Sequence, residues 1–252
     1  MTSHKLYRFL LGGYDLEMIT IRKILEEKRY AFYDKHLKWG ARLSSYKEFF
    51  NNTEHFVGIE LIEDAEKPET YTCIDHHSEK ESNEASIQQV ANLLHIGLTR
   101  YQTLVAANDM GYIPAMIAEG ATEDEITDIR QKDREAQGVT EKDELLGEKS
   151  IRHNLTVDKG ITIVKSFTPK FSSITDKLYP FERLLIYTDK ELTYYGKDVL
   201  RLKMAYKNLV EKRKAFFGGG ENGFFGITPE GINDLKDSKT AVKQIVKIIT
   251  NG

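Results

Sequence analysis

Short apolar runs alternate with helical patterns through residues 1–118, and this alternation restricts the fold more than any other feature of the chain. HKLYRFLLGG ends in two glycines and reads as a buried strand. Leu16–Arg29 carries apolar residues at helical spacing. Phe56–Ile62 and Tyr71–Ile74 read as a second and a third strand, and Ala85–Leu98 as an amphipathic helix. Leu104–Ala107 is a fourth apolar run, and it leads into Asn108-Asp109-Met110-Gly111, a turn signal. Strands interleaved with helices imply a layered α/β sheet, mostly parallel and flanked by helices.

The character of the chain changes twice after that. Residues 119–150 form an acidic segment in which 119–149 hold 11 acids and 5 bases. Thr122 with Glu125 makes a capping box. Two short surface helices are expected there, as a connector. Residues 151–252 read as a smaller α+β domain. ITIVKSF alternates as a strand does, and ERLLIYTDKELTYYG reads as a hairpin around Thr188-Asp189-Lys190. Asp198–Phe216 reads as a basic helix, FFGGGENGFFGI follows it, and Ser238–Ile249 reads as the last helix.

Charge follows the same division. Residues 1–150 have 18 Lys+Arg against 28 Asp+Glu, whereas 151–252 have 18 against 11. An acidic half suited to a cation and a basic half suited to an anion fit that pattern, as does uneven scatter of charge. The single cysteine, Cys73, rules out an intrachain disulfide and a cysteine-based zinc site. It also fits a reducing cytoplasm. No apolar run approaches the roughly 18 residues of a membrane span, so no membrane partner is expected. The first residues lack the layout of a signal peptide. The sequence leaves the oligomeric state open, a homodimer included.

In a parallel α/β sheet, sites form beyond the carboxyl ends of the strands. Asp15 and Glu17 follow the first strand, and Glu60, Glu63 and Asp64 lie in or after the second. Asp75, His76 and His77 follow the third, and Asp109 follows the fourth apolar run, which counts as a fourth strand end. Carboxylates and imidazoles together suit Mn²⁺, Fe²⁺, Zn²⁺ or Mg²⁺. Two such ions about 3.5–4 Å apart can clamp a phosphoryl displacement. Acids also gather at helix starts for electrostatic reasons alone, so this pattern by itself is compatible with no metal.

Ile74-Asp75-His76-His77 at a strand end, then a turn and a helix, resembles the signature of the DHH phosphoesterase family. That family comprises exonucleases, oligoribonucleases, cyclic-dinucleotide phosphodiesterases and inorganic pyrophosphatases. Its first motif, H-x-D-x-D-G, corresponds here to Gly13-Tyr14-Asp15-Leu16-Glu17-Met18, with glycine in place of histidine and methionine in place of glycine. Glu60 is the favoured acid for the second motif, and Asp109 before Gly111 fits the fourth. Phe217–Phe224, with Gly218, Gly219 and Gly220, looks like the family's glycine-rich substrate segment.

The resemblance implies a divalent cation, Mn²⁺ or Mg²⁺, held by Asp15, Glu17, Glu60, Asp75, His76 and Asp109. It implies a hydrolase that cleaves a phosphodiester or phosphoanhydride with a metal-activated water. Asp75 and His77 would take part in catalysis, His77 at the phosphate. Arg201, Lys203, Lys207 and the glycine segment would hold the rest of the anion. The substrate would be a nucleotide, a short oligonucleotide or a related small molecule. The missing histidine supports an alternative, a catalytically inactive nucleotide- or nucleic-acid-binding sensor of the same fold. His36, His55 or His95 could supply the absent imidazole.

Overall fold

The computed structural model of the chain describes residues 7–38, 40–76, 84–218 and 223–251. The fold is mixed α/β, with one parallel sheet and a second, larger sheet, each flanked by helices. Two compact units, 1–137 and 138–252, carry one sheet each.

In the first unit, β1 (Tyr7–Leu11) lies between β2 (Ala31–Tyr33) and β3 (His55–Ile59), and β4 (Tyr71–Ile74) pairs with β3. All three pairings are parallel, with Phe9 opposite Phe32 and Val57, and Gly58 opposite Cys73. Successive side chains of a strand point to opposite faces. Phe9, Leu11, Val57 and Ile59 therefore pack into one apolar layer with α1 (Leu16–Glu27) and α2 (Ser86–Leu94). Leu10 and Phe56 pack into the other, against a 3₁₀ helix (Leu43–Phe49) that contributes Leu43 and Tyr46. Burial on both faces explains why YRFLL reads as a continuous apolar run.

The fourth apolar run is a correction. Leu104–Ala107 is not a strand but lies within α3 (Arg100–Ala118), where all four residues are buried. The turn signal after it has a structural counterpart. Gly111 and Tyr112 leave the helical conformation, and Tyr112 sits at φ 59° and ψ −150°. Pro114 accounts for the break, because its ring clashes with the carbonyl four residues earlier and it has no N–H to donate. Asp109 thus rides on the last helical turn before a break rather than on a strand end. The three-residue β2 had no counterpart among the expected strands.

Residues 119–150 divide between the units. In the first, α4 (Glu123–Ala136) packs on α1 and α3. Thr122 and Glu125 cap it reciprocally, at 2.9 and 3.2 Å. In the second, α5 (Glu141–Asn154) packs on α6 (Ser172–Leu178) and β6 (Ile161–Lys165).

The second unit's sheet runs β5 (Leu155–Asp158), β6, β7 (Arg183–Tyr187), β8 (Leu192–Gly196), β10 (Phe224–Ile227) and β9 (Ala215–Gly218). The hairpin expected around Thr188-Asp189-Lys190 joins β7 to β8. The basic stretch after Asp198 is two short helices, α7 (Val199–Ala205) and α8 (Lys207–Glu211), followed by β9. A short helix, α9 (Pro229–Asp234), precedes α10 (Ser238–Thr250), which ends the chain and buries Ala241, Ile245 and Ile249. Among the described residues no helix is long and apolar enough to cross a membrane.

Candidate metal centre

Four segments of the first unit converge at the carboxyl edge of its sheet. The first turn of α1 presents Glu17, the residue after β3 is Glu60, the second residue after β4 is His76, and the broken helix α3 presents Asp109. One ligand atom from each lies within 4.8 Å of all the others. His76 Nε2 is 2.7 Å from Asp109 Oδ2 and 3.4 Å from Glu60 Oε1.

Local structure aims each group. Gly12 must be small, since a Cβ there would come within 2.3 Å of the Ile59 carbonyl oxygen. The ends of β1 and β3 therefore run in close contact, and this brings Glu17 and Glu60 to one place. Glu60 adopts φ 52°, a left-handed conformation that costs a non-glycine residue about 1–3 kcal/mol and is held only where the surroundings impose it. The ladder bond from its N–H to the Ile74 carbonyl at 2.8 Å is part of that imposition.

The start of α2 completes the surround. Ile87 N–H donates to Glu17 Oε1 at 2.9 Å, and Ser86 Oγ donates to Glu60 Oε1 at 2.8 Å. A helix N-terminus suits carboxylates. These two donors were not foreseen, although a serine opening an amphipathic helix just past Asp-His-His was a usable signal. Glu17 is 2% exposed, and its Oε2 has no hydrogen-bond partner among the described residues. An orphaned carboxylate oxygen in such a cluster is what a cation would satisfy.

Protons balance the charge of the metal-free cluster. Burial, reinforced by Glu60 and Asp109, pushes the Asp15 carboxyl up to about 7. Burial, then Asp109 and Glu60, holds Glu17 well above the usual range. For His76 burial favours the neutral ring, but hydrogen bonds and charge from Asp109 and Glu60 outweigh it and raise the imidazole to about 10. A divalent cation would displace these protons, so binding is coupled to proton release. Three carboxylates and one imidazole, one oxygen still unpartnered, fit a hard to borderline divalent ion.

A pH prediction follows from the direction of these shifts. Asp15 rises from 3.8 to about 7 and His76 from 6.5 to about 10, so the folded state binds more protons than the unfolded state across both windows. Stability then falls as pH rises. Asp64 and Glu125, both lowered to about 2, add no slope above pH 5. In EDTA the melting temperature is expected to drop steadily from pH 6 to pH 9. Saturating Mn²⁺ should flatten the drop. A rising profile in EDTA would contradict this account.

The other expected residues are placed as follows. Asp15 caps α1, accepting from Met18 N–H at 2.8 Å, and is a charged neighbour of the cluster without being one of its four members. Asp75 is the first residue after β4 and is likewise not one of the four. Glu63 pairs with Lys67 at 3.0 Å, and Asp64 accepts from Ser44, so Glu60 alone of the three second-motif acids is in the cluster. Gly13 has nothing within 4 Å of where a Cβ would be. His36 packs edge-on to Tyr14, His55 Nε2 contacts Thr72 Oγ1 at 2.7 Å, and His95 caps α2.

His77, Gly219 and Gly220 lie outside the described residues. Arg201, Lys203, Lys207 and Gly218 belong to the second unit. Arg201 donates to the carbonyls of Ile248 and Ile249 at 2.7 and 3.2 Å and so closes the end of α10. Lys203 Nζ sits 4.2 Å from the Phe217 ring centroid, and Lys207 lies 3.7 Å from the Glu211 carboxylate. Gly218 ends β9 against the Phe224 ring.

Fold and site together define an α/β protein with a buried acid–imidazole centre at the carboxyl edge of a parallel sheet. No protein-family model matches the chain, and no curated protein does. Among solved structures, the chain is similar to a pGpG-specific phosphodiesterase, PggH, from Vibrio cholerae, with 13% identity and a TM-score of 0.46 over 98% of this chain and 100% of that one. It is similar to the DHH domain of a member of the s1p family of ribosomal proteins, with 14% identity and a TM-score of 0.44 over 92% of this chain and 73% of that one. It is also similar to RecJ from Thermus thermophilus in complex with Mn²⁺, with 10% identity and a TM-score of 0.43 over 89% of this chain and 49% of that one. These likenesses are distant.

Proposed function

We propose that the chain is a metal-dependent phosphoesterase whose Glu17, Glu60, His76 and Asp109 hold a divalent cation, Mn²⁺ or Mg²⁺. The observation that carries this reading is the convergence of four ligand atoms within 4.8 Å from four separate segments. A bound divalent ion polarises a phosphoryl oxygen and makes water a nucleophile near neutral pH. The chain's own groups set the conditions for that chemistry. The α2 N-terminus holds Glu17 and Glu60 in place through Ile87 N–H and Ser86 Oγ. Asp109 fixes the imidazole of His76 through Nε2. Asp15 lies close enough to feel the charge of Glu60 and Asp109, and the motif order adds Asp15 and Asp75 to the proposed ligands. His77 would contact the phosphate or assist proton transfer. The substrate class is a phosphodiester or phosphoanhydride of a nucleotide, short oligonucleotide or related small molecule.

A second reading has its own observation. Gly13 supplies no imidazole where the resemblance calls for one, and neither Asp15 nor Asp75 is among the four clustered residues. A metal-dependent nucleotide-binding protein without hydrolytic activity fits that reduced set.

One experiment separates the two. The protein is stripped of metal, reloaded with Mn²⁺ or Mg²⁺, and assayed against bis-p-nitrophenyl phosphate, short oligonucleotides, cyclic dinucleotides and pyrophosphate. Metal-dependent turnover of one of these is expected. Stoichiometric metal without turnover would favour the binding protein. Absence of metal binding would refute both.

A further inference from the structure

We propose that Arg130 is a positioning residue: it clamps the break in α3 and so holds the Asp109 carboxylate in the four-residue cluster. The inference rests on the metal-centre reading and adds to it a residue that no motif contains.

Arg130 is 7% exposed, and a buried guanidinium persists only if it is paired. Its first partner is on its own helix, since Nη1 donates to Asp133 Oδ2 at 2.7 Å. A pair confined to α4 would serve α4 alone. Two further contacts reach across to α3 on both sides of its break. Nη1 also donates to Asn108 Oδ1 at 2.8 Å, immediately before Asp109. The guanidinium carbon lies 4.5 Å from the ring centroid of Tyr112, beyond the break. Asp109 is therefore bracketed, with the amide before it hydrogen-bonded and the aromatic ring after it stacked by one planar cation.

The bracket sits where it is needed. Tyr112 at φ 59° and ψ −150° is in a conformation that side chains rarely adopt. Such a residue holds its place only when several contacts determine it. Gly111 and Pro114 make the helix break, but neither dictates the direction in which the chain leaves it. Arg suits this task and Lys does not, because a planar fork can stack and donate at once whereas an ammonium cannot. Asp133 also accepts from Gln137 Nε2 at 3.0 Å, which keeps the anion satisfied and in place.

The test uses the full chain and two variants. Arg130→Lys keeps the charge opposite Asp133, so no buried carboxylate is abandoned. Asn108→Ala leaves the Arg130–Asp133 pair whole and cuts only the link to the residue before Asp109. Mn²⁺ affinity is read by electron paramagnetic resonance, and amide hydrogen exchange of residues 109–116 is read in the metal-free protein. Both variants are expected to bind Mn²⁺ at least about 10-fold more weakly, the scale on which groups that orient metal ligands act. Exchange across 109–116 should quicken while that of Leu184–Ile186 in the second sheet stays unchanged. Affinity within twofold of the parent overturns the proposal, whatever exchange does. Weakened affinity with unaltered exchange overturns it too, since the effect would then not run through the break. If the parent itself binds no Mn²⁺, the metal-centre reading fails separately. Exchange alone then decides the clamp: faster exchange sustains it and unchanged exchange overturns it.

Discussion

An Asp109→Ala protein is expected to bind Mn²⁺ at least about 100-fold more weakly than the parent, beyond what changes to orienting groups usually cost. It is expected to lack the metal-dependent phosphoesterase activity proposed for the parent. The reason is geometric. Asp109 is the only one of the four clustered residues that reaches the centre from α3, and its Oδ2 is 2.7 Å from His76 Nε2. Its loss removes one ligand and frees the imidazole that another ligand depends on. His76→Ala should give the same result from the opposite side of that contact. Neither change should unfold the chain. Asp109 is half-buried, and removing one acid from a cluster of acids relieves repulsion as it sacrifices an ion pair. Calorimetric titration with Mn²⁺ and thermal melts in EDTA measure the two quantities. Metal affinity within threefold of the parent in either variant would remove the cluster from consideration.

Glu17→Gln is expected to do something less usual, stabilising the metal-free protein while abolishing its response to metal. Glu17 is almost fully buried among Asp15, Glu60 and Asp109, and burial foremost raises its carboxyl well above the normal range. The penalty for ionising it is absent below its ordinary value of 4.5 and grows as pH rises toward the raised one. Glutamine is close in shape, keeps an oxygen for Ile87 N–H, and carries no charge at any pH. The metal-free melting temperature should therefore be unchanged at pH 5 and higher than the parent's at pH 9. The parent, in contrast, is expected to gain stability on adding metal, by about 2.7 kcal/mol at a hundredfold excess over Kd. The variant should gain almost none of this. Such a trade of stability for function is common at sites where like charges are held together. A lower melting temperature for Glu17→Gln in EDTA, or an undiminished response to Mn²⁺, would show that the Glu17 carboxylate is not held at a cost for a cation.

Most of the first sheet was legible in the sequence, because its central strands β1 and β3 are buried on both faces and its helices show an apolar stripe. HKLYRFLLGG, FVGIELI and YTCI each lead to a strand, and the acids and imidazole that follow them point to one edge. A parallel sheet sends every strand's carboxyl end to the same side, so chain order alone was enough to bring the acids and the imidazole after β1, β3 and β4 to one edge. Leu104–Ala107 was misread because four apolar residues carry no period that separates a strand from a buried helical turn. The run from Asp198 to Phe216 failed for a related reason. Its helical spacing holds through Glu211, but only the sheet's demand for a partner along β10 turns Ala215–Gly218 into a strand.

What tertiary structure alone decided is which of many acids come together. Glu60, Glu63 and Asp64 stand within five residues of one another, and their order along the chain gives Glu60 only a slight preference. Glu63 is spent on Lys67 and Asp64 on Ser44, while a left-handed backbone turns Glu60 inward. Asp15 caps α1 and lies near the centre without being one of its four clustered residues. Arg130 had no signature at all, because its meaning lies in contacts to Asn108 and Tyr112 on another helix. Hydrophobic period and strand order are properties of neighbouring residues and can be read along a chain. The pairing of buried charges is a property of residues far apart in sequence, and it exists only once the chain has folded.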